Sequence, residues 1–419
     1  MINFNILNTK IISLLILFIP LSLLTGPFIP DLLISIIALL FLYLSVSHNL
    51  WIYYKNIYSF VFFSSCMYLI IRSIFSDLPF ESLRSSLFYF RFGLFSLAVW
   101  YIIDNNPSFV KYFGFALLIV FVASIIDGYY QYFIDQYYNI FHFKSPGVRM
   151  SLLFSDKMVL GNYLSRLFPL LLACLLYSYG YKKRFLVISA ILLILIDILI
   201  YVSGERTAFG LLIVSTIYII FLISKYKILR LVTFSISLIV IFILTFSLPD
   251  IKERNIDQTM EQLQFNEQDF DQGPVIFSTQ HHSHIIGAIN MFKDNPFFGK
   301  GPNLFKFLCN YEKYNYNELT CSTHPHQIYI QLLAETGLLF FSVVSCIFLI
   351  IIFYSAKHLY LNYSTGSKVF TDYQVCIISC FLISLWPLLP SLDFFNNWNS
   401  ILYFLPVGFY LHSVYNKRP

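Results

Sequence analysis

The chain has 419 residues, of which 58% are hydrophobic, 19% aromatic and 12% charged, with a net charge of +5. Its mean hydropathy is +0.71. A soluble domain carries roughly 25% charged residues, so a cytosolic, disordered or collagen-like chain is excluded. The mild, scattered positive charge offers no basic stripe to a nucleic acid. What remains is an all-α polytopic membrane protein.

Apolar runs place about twelve helical spans, near residues 11–28, 32–47, 58–76, 86–103, 112–133, 162–180, 185–202, 207–224, 231–248, 334–354, 373–391 and 399–415. The first lacks a small-x-small cleavage pattern and runs into Gly26-Pro27, so it reads as a retained helix. Lys10, Lys55, Lys111, Lys182, Lys183, Arg184, Lys225, Lys227, Arg230, Lys357, Lys368, Lys417 and Arg418 fall in connections on one side. The positive-inside rule assigns that side, with both termini, to the cytoplasm. The other side then holds a short turn at 203–206, the 134–161 connection and a long loop. Three regions result: 1–248, nine spans; 249–333, an outer loop with short helices; and 334–419, three spans.

The loop has two halves. Residues 250–271 carry Asp250, Glu253, Asp257, Glu261, Glu267, Asp269 and Asp271 against Lys252 and Arg254. Residues 281–306 carry His281, His282, His284, Lys293, Lys300 and Lys306 against Asp294 alone. Five of the seven cysteines lie in spans as packing residues. Cys309 and Cys321 share the loop, and in an oxidising compartment they would close a disulfide worth about 3 kcal/mol. The alternative is two free thiols.

Polar groups at membrane depth are costly and need an account. In SGERTAFG (203–210), Arg206 opens a helix next to Glu205, where a helix N-terminus and a guanidinium fork suit a phosphate. The plainer alternative is an arginine snorkelling beside Glu205. In CSTHPHQIYIQLLAETG (321–337), Pro325 fits the first helical turn with His324 or Thr323 as cap. Gln327, Gln331 and Glu335 then recur every four residues, a polar stripe expected to face a cavity. A neutral His326 or His324 at its mouth could take a proton from a hydroxyl; otherwise both are capping histidines. In HHSHIIGAINMFKDNPFFGKGPNLFKFLC (281–309), an amphipathic helix should end at Asn295-Pro296. The turn Gly299-Lys300-Gly301-Pro302 could bring backbone amides to an anion. The histidines lack a carboxylate or thiolate at a ligand spacing, so no metal or other cofactor is expected. Arg149, Asp156, Lys157, Arg166, Asp127, Gln131 and Arg91 are further polar groups, each open to structural pairing or to lining a positively charged cavity.

With these motifs in order, the sequence resembles the O-antigen ligase and polymerase family of bacterial inner-membrane proteins. The resemblance rests on SGERTAFG, AINMFKDNPFFGKGPNLF and HPHQIYIQLLAETG and is strongest over 200–340; the flanks match only in span pattern. It implies a metal- and nucleotide-independent glycosyltransferase in the inner membrane with its long loop in the periplasm. The donor would be a glycan on undecaprenyl diphosphate. The acceptor would be a sugar hydroxyl, of the lipid A core in a ligase or of another lipid-linked repeat in a polymerase. By the family pattern Arg206 holds the diphosphate and His326, with His324 beside it, acts on the acceptor. Arg149, Arg166, His281, His284, Lys300, Lys306, Gln327, Gln331 and Glu335 complete the candidate substrate contacts. Two departures stand out. His281 occupies a place where the family usually has Arg, so either Arg149, Lys300 or Lys306 supplies that charge or the diphosphate is gripped less tightly. Gln327 stands where Asn is common. A lipid-linked glycan transporter and a binding scaffold are the readings from other classes.

Overall fold

The computed structural model describes residues 2–135, 149–151, 157–180, 183–262 and 277–415, and every regular element among them is helical. The bundle consists of α1 (Ile2–Ser22), α2 (Phe28–Ser47), α3 (Ile57–Ile74), the short α4 (Pro79–Ser86), α5 (Phe90–Asn105), α6 (Phe109–Tyr130), α7 (Leu160–Tyr179), α8 (Lys183–Val202), α9 (Arg206–Leu222) and α10 (Lys227–Ser247). A helical arm follows: α11 (Pro249–Lys252), a π-helical turn (Glu253–Asp257) and α12 (Gln258–Gln262). Then come α13 (Thr279–Asp294), α14 (Phe305–Leu308), α15 (Ile328–Ser364), α16 (Asp372–Ser384) and α17 (Asn397–Tyr415). Each expected span overlaps one of these helices. Among the described residues, eight stretches are long and apolar enough to cross a membrane, with three shorter apolar helices beside them. This is a multi-pass, all-helical membrane protein. Asp156, Lys182, Glu267, Asp269, Asp271, Lys417 and Arg418 lie outside the described residues.

Lipid gives no hydrophobic drive for one helix to leave it for another, so contact quality holds such a bundle together. Small residues let the backbones approach. Gly408 of α17 sits where a Cβ would come 2.5 Å from Val99 Cβ of α5, and Gly114 of α6 where it would meet Cys174 Cβ at 2.7 Å. Ser96 Oγ donates across the first of these seams to Phe404 O at 2.8 Å. Two ionic groups inside the bundle answer each other: Arg230 of α10 donates to both carboxylate oxygens of Asp197 in α8, at 2.7 and 2.9 Å. Arg230 was expected among loop charges; the structure buries it in this bidentate pair. Arg91 likewise pairs with Asp31, at 2.5 Å.

Two expected spans change shape. The span expected over 373–391 ends at Ser384, because Leu385–Asn396 runs past Pro387 and Pro390 without helix. Proline cannot donate to a helix and disfavours helix at the residue before it. The stretch expected as 334–354 is the middle of α15, which breaks at Gly337 (φ 66°, ψ −174°). The NPFFGKG turn locks into this break. Lys300 N donates to Ala334 O (2.9 Å), Gly301 N to Glu335 O (2.7 Å) and Leu338 N to Pro296 O (2.9 Å). A Cβ on Gly337 would lie 2.3 Å from Phe297 O, and one on Gly299 would lie 2.5 Å from Gly337 N. Helix α3 fastens the joint from the side: Arg72 donates twice to Gly299 O, and Tyr68 OH donates to Thr336 O at 2.7 Å.

The outer loop has a small core of its own. Ala288 and Met291 of α13 pack with Leu304, Phe305, Leu308, Tyr314 and Ala334. Cys309 and Cys321 are bonded there, with Cα atoms 5.3 Å apart. This module presents the start of α13 and residues 320–327 to the membrane bundle.

Candidate active site

Four histidines meet at the junction of loop and bundle. Ser278 caps α13 by accepting from His281 N, and its hydroxyl also lies 2.7 Å from His281 Nδ1. One turn on, His284 Nδ1 donates to Thr320 O at 3.1 Å, so a neutral His284 carries its proton on that nitrogen. From the other side come His324 and His326, whose ring centroids are 4.0 Å apart. His326 also lies 5.1 Å from the His281 ring and 5.5 Å from that of His284. The HPH segment is not helical. Pro325 was expected in the first turn with His324 or Thr323 as cap; instead α15 starts at Ile328, and the side chain of Gln327 caps it by accepting from Ile330 N at 2.8 Å. The helix starts late because His326 takes a left-handed conformation, φ 57°, which is uncommon outside glycine and interrupts right-handed helix.

Residues 385–396 hold this conformation. Ser391 N donates to His326 O at 2.8 Å, His324 Nε2 donates to Ser391 O at 3.2 Å, and Gln327 Nε2 donates to Pro387 O at 3.1 Å. Asp393, on the same segment, accepts from Gln331 Nε2 at 2.7 Å. Its charge works against the burial that pushes the His324 imidazole below its usual value. Sequence reading missed Asp393 and Ser391 because the apolar run was carried through them as a span. The signal was present in WPLLPSLD, where two prolines and an aspartate punctuate the run.

The second half of the site is the turn between α8 and α9. Glu205 is buried, 3% exposed, and accepts from Gly161 N at 2.6 Å and from Asn162 Nδ2 at the start of α7. It is occupied as the cap of a neighbouring helix and forms no ion pair with Arg206. Burial raises its carboxyl to about 7 against those bonds and the field of Arg149. The partners of Arg206 are neutral: Nη1 donates to Thr259 Oγ1 (2.6 Å) and Nη2 to Gln262 Oε1 (2.7 Å). Arg149 stands next to the turn, where Met150 N donates to Ser203 O at 3.2 Å. Arg254 of the arm donates to Gly204 O at 3.2 Å and to Gln258 Oε1 at 2.7 Å. Among the described residues none of these three arginines takes part in an ion pair. Arg166, two turns into α7, is 4% exposed; its Nε and Nη1 have no hydrogen-bond partner among the described residues, and its guanidinium lies 5.9 Å from the Tyr403 ring.

The arginines and histidines feel one another. Burial first, then the imidazoles of His284 and His324 and the charges of Arg149 and Arg206, push His281 down to about 4. Burial and the three other imidazoles, with Arg149, hold His326 far below the ordinary imidazole value. At neutral pH these rings are neutral proton acceptors beside fixed positive charge. Such a site can hold an anion and deprotonate a hydroxyl.

Several other candidates serve the architecture instead. Lys300 is buried; its ammonium pairs with Asp294 and approaches Asp77 at 3.9 Å. It therefore does not supply the charge expected at 281. The amides of its turn are spent on α15. Lys306 is exposed and lies over Phe307 at 5.0 Å. The side chains of Gln331 and Glu335 are taken up by loop backbone: Glu335 accepts from Asn303 N (3.0 Å) and Phe305 N (2.9 Å), and Gln331 Oε1 accepts from Phe394 N (3.0 Å). These carboxylate and amide groups satisfy loop backbone. Among the described residues no group of three or more His, Cys, Asp or Glu side chains converges as a metal site would require.

Residues 188–345, from α8 through the first part of α15, match the family model described as O-antigen ligase. Over this stretch the chain is similar to the O-antigen ligase family. It contains Arg206, Arg254 and all four clustered histidines, whereas Arg149, Arg166 and the bracing segment 385–396 lie outside the matched residues. No curated protein matches the chain.

Proposed function

We propose that the chain is an O-antigen ligase-type glycosyltransferase of the bacterial inner membrane, with its site on the periplasmic face. The donor is a glycan on undecaprenyl diphosphate and the acceptor is a sugar hydroxyl of the lipid A core. The observation that carries this reading is the pairing of arginines that form no ion pair among the described residues with neutral, half-buried histidines in one junction. Arg206 and Arg149 bind the diphosphate and stabilise the charge that grows on it as it leaves. His326, steadied by His324 and by Ser391, takes the proton of the acceptor hydroxyl as its oxygen bonds to the anomeric carbon. The glycosidic bond to the diphosphate breaks in the same exchange, so neither nucleotide nor metal is required. His281 and His284 border the acceptor, and Arg166 lies behind the clamp. A polymerase would use the same machinery with a second lipid-linked glycan as acceptor, and a transporter would have no use for the base.

Transfer in proteoliposomes tests this, with undecaprenyl-diphosphate-linked glycan supplied with and without lipid A core. His326→Ala should lower turnover by about 10²- to 10⁴-fold, the range for a lost general base. Arg206→Ala should raise the donor KM and lower kcat together. Extension of the lipid-linked glycan in the absence of core would make the enzyme a polymerase. Transfer retained by both variants would refute the assignment of the site.

A further inference from the structure

Arg254 belongs to none of the three motifs, yet it reaches the arginine turn from a separate element. The arm sorts its side chains by four-residue spacing, which places them on a shared face. Glu253, Asp257 and Glu261 are all exposed. Arg254, Thr259 and Gln262 make the contacts with the turn: Arg254 Nε donates to Gly204 O, while Thr259 Oγ1 and Gln262 Oε1 accept from Arg206, and Gln258 Oε1 accepts from Arg254 Nη1 within the arm. The arm thus keeps its carboxylates away from the turn and sends its arginine in. The π-helical turn at Glu253–Asp257 sits where Arg254 emerges, and such turns recur at functional sites.

Gly204 makes room for it. The residue is left-handed, φ 74°, and a Cβ there would stand 3.4 Å from both Cγ and Nε of Arg254 and 3.8 Å from Arg149 Cα. Two arginine-bearing segments therefore close on Gly204, in a turn that carries the third arginine, Arg206. The turn's own carboxyl, Glu205, lies in their field but is pushed up to about 7 by burial and is spent on the start of α7, so three like charges whose hydrogen-bond partners are neutral cost free energy unless a further anion joins them. His281, at the place where the family pattern has an arginine, is neutral at pH 7, and Lys300 is held by Asp294.

We propose that Arg254 is a third phosphate-binding arginine, brought by the arm onto the diphosphate of the lipid-linked donor. This rests on the transferase reading above. It makes the arm part of the donor site and supplies from 254 the charge absent at 281.

The full-length protein in nanodiscs allows the test, with undecaprenyl diphosphate as the probe and undecaprenyl monophosphate as its comparator. Wild-type protein should prefer the diphosphate. Arg254→Gln should weaken diphosphate binding by about ten- to a hundredfold, the value of a charge-assisted bond to phosphate. Lys252→Gln removes an exposed cation from the same arm and should change binding less than about twofold. Unchanged binding in Arg254→Gln, or an equal loss in Lys252→Gln, overturns the proposal while leaving the transferase reading intact. Failure of wild-type protein to bind the diphosphate sinks that reading, and this proposal with it. Should Arg254→Gln not fold, Arg254→Lys decides: it keeps the charge but loses the fork, so severalfold weaker binding is expected and wild-type binding overturns the proposal.

Discussion

His326 sits in the left-handed region with φ 57°, a conformation that costs of order 1 kcal/mol or more for a side chain with a Cβ and clusters at functional sites. The main chain of Ser391 holds it there. The consequence for chemistry lies in protonation. His281 is held near 4 and His326 lower still, so neither ring gains a proton as the pH falls from 8 to 6. The histidines should therefore put no acid limb on the free-enzyme kcat/KM across that window, only one below about pH 4; a limb centred near 6.5 that persists in Glu205→Gln, which removes the carboxyl raised to about 7, would show that the base is an ordinary exposed imidazole. Stability moves in the same direction. An unfolded His281 titrates near 6.5, so between 6.5 and 4 the unfolded chain binds more protons and stability falls as the pH falls. Residue types were the most legible part of the sequence. Arg206, His324 and His326 stand out by chemistry alone, whereas the fates of Lys300, Gln331 and Glu335 depend on partners far along the chain. Arg254 hid in a segment whose net charge pointed the other way.

At the scale of elements, the joint between NPFFGKG and AETG decides whether the histidines meet. Gly337 must accept both a positive φ and the carbonyl of Phe297 at its α-carbon, while Gly366 has a similar φ of 71° with nothing within 4 Å. The two glycines separate backbone strain from collision. Gly366→Ala should cost about 1 kcal/mol, the left-handed penalty alone. Gly337→Ala should cost clearly more, about 3 kcal/mol or beyond, since α15 and the 296–299 turn must part. Melting temperatures of the two variants in the same detergent check this; equal losses would mean that the joint yields without strain. Helix positions were readable because a long apolar run has few other solutions in lipid. The break in α15 and the unwound 385–396 segment were not, since each depends on backbone groups being satisfied by a distant loop. In hindsight the motif glycines mark a joint between two segments, a role that their spacing in either segment alone does not reveal.

The whole molecule has two unlike ends. Opposite the site, side chains close the connections: Asp372 accepts from Ser224 N (3.0 Å) and Lys225 N (3.1 Å), and His358 Nδ1 accepts from Phe370 N at 3.0 Å. Lysines such as Lys225, Lys357 and Lys368 crowd that end. At the site end the cations are arginines gathered around one turn, next to a disulfide-closed module. The positive-inside rule counts the first set, and on it the chain is expected to lie with the site outward. The arginines around the turn run against that bias and are better explained by an anionic ligand than by topology. Single cysteines test the orientation in a Cys346→Ala background, which removes the exposed free thiol. Glu253 and Lys368 are both exposed, at opposite ends. In right-side-out spheroplasts a membrane-impermeant maleimide should label Glu253→Cys before lysis and Lys368→Cys only after it. The reverse pattern would place arginines and histidines in the cytoplasm, where the disulfide would be reduced and a donor displayed on the outer leaflet could not reach them.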